Sequence, residues 1–287
     1  MPRPNFALAL RCVPWYNKQA MTEHPYAFPL GKPTIMGILN VTPDSFSDGG
    51  AYFETDAAVA HALQIQEEGA GILDIGARST RPGHKPVPIE EELRRLLPVL
   101  KALRGRLRIP VCVDTVSPEA ARAALSLGAI IINDVSGMAS EEMARAVLEY
   151  GAGWVLMHNG GGADAQPHYM PDAVTAVRAA LETLVGQAMA YGLRKSQLCI
   201  DPGIGFGKSR EDDLKLLANT PLLRLPGVAY LVGASRKRAI MQAGGSTIAA
   251  HVIAQWGGAD ILRAHDVKEA VQAANVTFAI DNSRRIL

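Results

Sequence analysis

The chain has 287 residues, 48% of them hydrophobic and 20% charged, and a formal net charge of +1. That content supplies a large core and excludes a disordered chain, and the near-neutral charge leaves no electrostatic footprint for nucleic acid. No apolar run reaches the roughly 18 residues of a membrane span, and the length suits one (β/α)8 barrel of typically about 250 residues.

Residues 1–33 carry Pro2, Pro4, Pro14, Pro25, Pro29 and Pro33 and read as an irregular N-terminal extension. Phe6–Leu10 is a weak apolar patch without a cleavage-site pattern, so a signal peptide is not expected. From residue 34 to the end, short apolar strands alternate with helical patterns. The strands fall at 34–40, 71–75, 111–115, 130–133, 153–158, 198–201, 229–233 and 260–264. The helices fall at 55–68, 89–104, 117–127, 140–150, 171–192, 210–218, 246–257 and 267–281. The strands are nearly continuous hydrophobic runs, as in a parallel sheet buried on both faces. Eight such units predict one closed TIM barrel over 34–287, with an open doubly wound sheet as the alternative. Cys112 and Cys199 lie in strands and read as small buried hydrophobes, which fits a reducing cytoplasm.

Each strand ends in a polar group: Asn40, Asp74, Asp114, Asn133-Asp134, Met157-His158, Asp201, Ser235-Arg236-Lys237, and Arg263 with His265-Asp266. In a barrel these ends converge on one rim, where such folds do their chemistry. Capping of the following helices is the bland alternative for any one of them.

The loop Asn40-Val41-Thr42-Pro43-Asp44-Ser45-Phe46-Ser47-Asp48-Gly49-Gly50 cannot build a core but can present an amide, hydroxyls, carboxylates and a ring. Ser79-Thr80-Arg81-Pro82-Gly83 offers a hydroxyl, an anion clamp and a rigid wall, or is a plain surface turn. Asp201-Pro202-Gly203-Ile204-Gly205-Phe206-Gly207-Lys208 fails the P-loop spacing, but its glycines admit a ligand and Phe206 supplies a flat face. At the end of a strand, Asp201 can accept two parallel hydrogen bonds from an amidine-like edge. Ser235-Arg236-Lys237-Arg238 is cationic, and Arg263 and His265 share one face of their strand. The histidines show no metal-ligand spacing, and neither a Gly-x-Ser-x-Gly elbow nor a cysteine nucleophile is present.

Taken in order, these motifs resemble dihydropteroate synthase over about residues 34–281. The resemblance implies condensation of 6-hydroxymethyl-7,8-dihydropterin diphosphate with para-aminobenzoate to give 7,8-dihydropteroate and diphosphate. It implies that Asp114, Asn133, Asp201 and Lys237 hold the pterin, with Met157 against its ring. It implies a Mg²⁺ contact from Asn40 and diphosphate contacts from Arg81, Arg263 and His265. Thr80, Pro82, Phe206 and Lys237-Arg238 would bound the aminobenzoate site, and Asp48 would order the first loop and the metal site. The chemistry would rest on Asp48, Arg81, Lys237 and Arg263, sulfonamides would compete with para-aminobenzoate, and the Ala-rich helices 246–257 and 267–281 could pair two copies.

Three departures stand out. Where the family usually reads Asp-Ile-Gly-Gly-Glu-Ser, this chain reads Asp74-Ile75-Gly76-Ala77-Arg78-Ser79, so that Arg78 lies beside the diphosphate or points to solvent. Asn159-Gly160-Gly161-Gly162 stands where many members carry Met-Arg-Gly or Asn-Arg, and the connection from Lys237 to Gly245 is short. A non-catalytic pterin-binding paralogue is the first alternative, favoured by Ala77-Arg78, and a folate-dependent methyltransferase barrel is the second.

Overall fold

The computed structural model describes residues 22–42, 50–78, 87–161 and 172–284, with the backbone alone for 50–54 and 284. Eight parallel strands close into a barrel in sequence order: β1 (Thr34–Asn40), β2 (Ile72–Gly76), β3 (Val111–Asp114), β4 (Ile131–Asp134), β5 (Gly153–Met157), β6 (Leu198–Asp201), β7 (Ala229–Val232) and β8 (Ile261–Ala264). The long helices lie between them: α1 (Gly50–Glu67), α2 (Ile89–Leu103), α3 (Pro118–Ser126), α4 (Glu141–Glu149), α5 (Ala173–Ala190) and α6 (Arg210–Ala218). Two short helices, α7 (Thr220–Leu223) and α8 (Arg238–Gln242), precede α9 (Thr247–Trp256) and α10 (Val267–Arg284). The closed sheet decides for the barrel over the open sheet. The first helix begins five residues before its expected start at 55, so Gly50 belongs to it rather than to the loop.

Successive strand residues point to opposite faces, and here the two faces build two cores. One face packs under the helices through residues such as Leu39, Ile75, Ile132, Trp154 and Val232. The other fills the barrel with one layer drawn from every strand: Met36, Ile72, Cys112, Ile131, Val155, Cys199, Leu231 and Ile261. Both strand cysteines are therefore buried and free, as their positions predict. The N-terminal mouth is closed by residues 25–33. Tyr26 N donates to Gly151 O at 2.8 Å and Phe28 N to Ser196 O at 2.9 Å, and their rings meet edge-on at 5.0 Å beneath Gly153.

The same inward phase continues upward along each strand. Two residues above the apolar layer, or four, it delivers Asn40, Asp74, Asp114, Asn133, Met157, Asp201 and Arg263 to the C-terminal mouth. Apolar packing thus fixes the height and direction of the polar groups above it.

Candidate active site

The inward-facing polar groups form one bonded layer. Arg263 crosses the mouth from β8, its Nε donating to Asp74 Oδ2 at 2.6 Å and its Nη2 to Asp114 Oδ2 at 3.1 Å. Asn133 Nδ2 donates to the same Asp74 oxygen at 3.2 Å. Asp201 Oδ1 accepts from Gly203 N at 2.8 Å. Gly233 makes room beside it, because a Cβ there would stand 3.6 Å from Asp201 Oδ2 and 3.9 Å from Arg263 Cβ. Met157 lies next to Asp201 in register and is buried. Asp134 takes the opposite phase, accepts from Ser136 N at 2.9 Å and belongs to the helix side.

Helix caps do not explain these groups. The described caps come from Ser117, Ser140, Asp172, Ser209 and Ser246. Asp114, Asn133 and Asp201 remain for the mouth. Two of the layer's oxygens, Asp74 Oδ1 and Asn133 Oδ1, are buried without a hydrogen-bond partner among the described residues. Such acceptors are costly unless a ligand brings donors.

The loops above add the cations. Lys237 Nζ sits 4.1 Å over the centre of the Phe206 ring. Burial and the neighbouring Arg263 push Lys237 down to about 8, against the pull of Asp201 and Asp114. Burial pushes Asp114 up to about 7 against Arg263, with Asp74 adding to the rise, and burial likewise raises Asp201. The values for Asp114 and Lys237 lie near neutrality, as those of acid-base and binding groups at functional sites often do.

Ser235 Oγ accepts from His265 N at 3.2 Å and lies 2.9 Å from His265 Nδ1. The Ser235 hydroxyl thus joins the loops after β7 and β8 through both the amide and the ring of His265. Between these loops Arg236 holds a φ of 56°, the left-handed region unfavourable to a residue with a Cβ. Its Nη2 bonds Asp266 Oδ1 at 2.6 Å and its N bonds Thr247 Oγ1 at 3.2 Å, which hold the strained turn. The short connection after Lys237 is filled by α8 and a turn at Gly244 and Gly245, both at positive φ.

Of the residues expected at the site, Asn40, Asp114, Asn133, Met157, Asp201, Phe206, Lys237, Arg263 and His265 reach the same mouth. Phe46, Asp48, Thr80, Arg81 and Pro82 lie outside the described residues. Two participants carried no assigned role in the sequence. Asp74 braces Arg263 and Asn133, and its position at the polar end of β2 was the available signal. Glu92, buried on α2, accepts from Thr115 Oγ1 at 2.6 Å and holds Arg78 Nη1 at 3.6 Å. Arg78 is thus paired with a carboxylate rather than pointing freely to solvent. The buried Glu92 carboxylate turns it toward α2.

As to oxygen donors for a metal, Asn40 Oδ1 stands at the mouth, 3.6 Å from where a Gly76 Cβ would be, with Asp114 Oδ2 at 3.9 Å from that point. No group of three or more His, Cys, Asp or Glu side chains suited to a metal occurs among the described residues. An amide oxygen beside a carboxylate fits a hard cation that takes its other ligands from a phosphate substrate and water.

Fold and rim together define a barrel enzyme that grips a planar ligand rich in N–H donors. Residues 36–265 match the pterin binding enzyme family. The dihydropteroate synthase of Escherichia coli (strain K12) is 40% identical over 261 residues, 87% of this chain and 92% of that protein. That of Mycobacterium leprae is 43% identical over 263 residues, 85% of this chain and 92% of that protein. The structure of Xanthomonas albilineans dihydropteroate synthase with 4-aminobenzoic acid matches with a TM-score of 0.82 at 46% identity, covering 87% of this chain and 93% of that one. The chain belongs to the pterin-binding enzymes and, within them, to the dihydropteroate synthases, transferases of folate biosynthesis.

Proposed function

We propose that this rim condenses 6-hydroxymethyl-7,8-dihydropterin diphosphate with para-aminobenzoate, in the following way. The carrying observation is the bed of buried acceptors, Asp74 Oδ1 and Asn133 Oδ1 without donors among the described residues, beside the Asp114 and Asp201 carboxylates. A pterin edge carries the ring N–H and amino donors such a bed lacks. Lys237 donates to the ring's acceptor atoms, and Met157 packs on its face.

As the bond to diphosphate breaks, positive charge spreads from the methylene carbon into the dihydropterin. Asp114 and Asp201, at fixed places in a water-poor mouth, stabilise it. The para-aminobenzoate nitrogen then attacks the methylene carbon and loses a proton, giving 7,8-dihydropteroate. Arg263 and His265 take negative charge on the leaving group, together with Arg81, and Asp48 orders the first loop. Thr80, Pro82, Phe206 and Arg238 bound the aminobenzoate. Mg²⁺, when held by Asn40 and the diphosphate, supplies Lewis-acid neutralisation of the leaving group.

The pairing of Arg78 with Glu92 weakens the case for a non-catalytic paralogue, since the departure from the family pattern is met by a buried carboxylate. Two copies pair through α9 and α10, where Ile253, Trp256, Val276 and Ile280 are exposed. No described helix is long and apolar enough to cross a membrane, and free, buried Cys112 and Cys199 suit a reducing cytoplasm.

The test is diphosphate release with the pterin diphosphate, para-aminobenzoate and Mg²⁺, each omitted in turn. Release that needs all three supports the reading, with sulfonamides competing against para-aminobenzoate. Pterin binding without release in the complete mixture makes the chain a binding paralogue. Sedimentation of a monomer at micromolar concentration removes the dimer.

A further inference from the structure

Lys208 is 2% exposed, and a buried ammonium needs a strong reason to be there. Its three N–H groups donate to three backbone carbonyls: Gly203 O at 2.7 Å, Phe206 O at 3.1 Å and His158 O at 3.3 Å. Two of these belong to the loop after β6 and one to the loop after β5. With its donors engaged and its surface covered, Lys208 does not meet substrate. It ties two loops together.

The loops are built to be tied. Gly203, Gly205 and Gly207 have φ of 66°, 79° and 65°, so the β6 loop coils as only glycine does comfortably. A Cβ on Gly203 would run into His158 O, and one on Gly207 into Gly160 O. Gly160 N in turn donates to Phe206 O at 3.3 Å. The two backbones are thus in direct contact, and the Phe206 carbonyl is held from both sides, by Lys208 and by Gly160. On the other face of the loop the Lys237 stem packs on Gly205, and its ammonium lies over the Phe206 ring. Asp213 bonds Gly205 N at 2.9 Å, steadying the same turn from α6.

We propose that Lys208 is a positioning residue that sets the arylamine half of the site, by locking the β5 and β6 loops so that the Phe206 ring keeps its place. This rests on the reading that Phe206 bounds the para-aminobenzoate site. Pterin capture depends chiefly on the strand-borne Asp114, Asn133 and Asp201; Lys208 bonds none of them, and Asp201 meets the tied loop only at Gly203 N. The two substrates should therefore respond differently to its loss, whereas a residue needed only for folding would weaken both alike.

The experiment compares the natural protein with Lys208→Met and Lys208→Arg at equal folded concentration. Calorimetry measures the pterin diphosphate alone, and separately para-aminobenzoate in the presence of the pterin and saturating inorganic diphosphate. Lys208→Met should weaken para-aminobenzoate roughly tenfold or more while the pterin changes less than about threefold, and Lys208→Arg, which keeps charge and donors, should recover most of the loss. If Lys208→Met does not fold, the same split is read on Lys208→Arg and Lys208→Gln, which keep some donors. Equal para-aminobenzoate affinity in all forms, or equal weakening of both ligands, overturns the proposal. If the natural protein takes up the pterin but no para-aminobenzoate, the arylamine assignment itself fails, and the positioning role falls with it.

Discussion

Replacing Lys237 by Met should move stability and activity in opposite directions. A fall in the ammonium's pKa from 10.5 to about 8 means that the native protein holds this charge at a cost of about 3 kcal/mol at neutral pH. Water reaching the half-buried head reduces that figure to about 2 kcal/mol. Loss of the contact with Phe206 gives back about 0.5–1 kcal/mol. The methionine stem fills the same space, so the ligand-free variant should be more stable by about 1 kcal/mol, or about 2 °C in a chain of this size. The pH dependence fixes the cause. Below pH 8 both folded and unfolded natural protein carry the proton, and the cost is complete. As pH rises through 8 the folded form releases its proton first, and the cost disappears toward 10.5, so the variant's advantage fades over that range. Over the same substitution kcat/KM for the pterin diphosphate should drop about 10–150-fold, the worth of a charged hydrogen bond. Thermal unfolding of the ligand-free proteins at pH 7 and pH 10, with initial-rate kinetics, measures both. A variant that melts several degrees lower and loses activity in proportion would make Lys237 a structural residue and refute the assignment.

Other expectations follow from the same layer. Asp201→Asn keeps shape but turns one acceptor into a donor, so calorimetric pterin affinity should fall about 10–150-fold; unchanged affinity removes Asp201 from the pterin site. The profile of kcat/KM against pH should be a narrow bell, rising through about 7 as Asp114 ionises and falling through about 8 as Lys237 loses its proton, both as macroscopic values of a coupled set. A flat profile from pH 6 to 9 would separate these groups from the chemistry. Arg78→Glu sets a second carboxylate beside buried Glu92, which should destabilise the fold by about 2–4 kcal/mol in chemical denaturation, and Glu92→Gln should restore part of it. Unaltered stability would show that Arg78 and Glu92 do not interact in solution.

The barrel was legible because eight apolar runs of strand length recur between helical patterns, and their bounds hold to within a residue or two. Which face of each strand points inward was not legible. In a sheet buried on both sides the polar alternation is absent, and only closure of the barrel separates Met36, Cys112 and Cys199 from Leu39, Val113 and Ile200. The candidate site residues were readable for the opposite reason: Asp114, Asn133, Asp201 and Arg263 interrupt apolar runs, and only Asp201 has a local bond, from Gly203 N. Asp74 was visible as a strand end, but its role depends on Arg263, 189 residues away in the chain. Lys208 has no assigned role in the sequence, and only the folding of two loops around it makes it an internal cation. The short helices α7 and α8 have too few residues to show a period.

Charge order in the mouth connects the fold to the reaction. Before substrate arrives, Arg263 is shared between Asp74 and Asp114, and Asn133 leans on the same Asp74 oxygen. Asp74 is therefore the fixed point, fully buried and bonded to both neighbours, while Asp114, raised to about 7, is the adjustable one. On the proposed reading, a pterin that brings donors to Asp114 and Asn133 loosens the hold of Asp114 on Arg263. The arginine then has charge to offer the departing diphosphate while its Nε stays on Asp74. Positive charge on the ring and negative charge on the leaving group would thus be met by two groups that had neutralised each other in the empty site. Such an arrangement keeps a charged, water-poor mouth stable without ligand, and it makes Asp74 the residue whose loss should harm both halves of the chemistry at once.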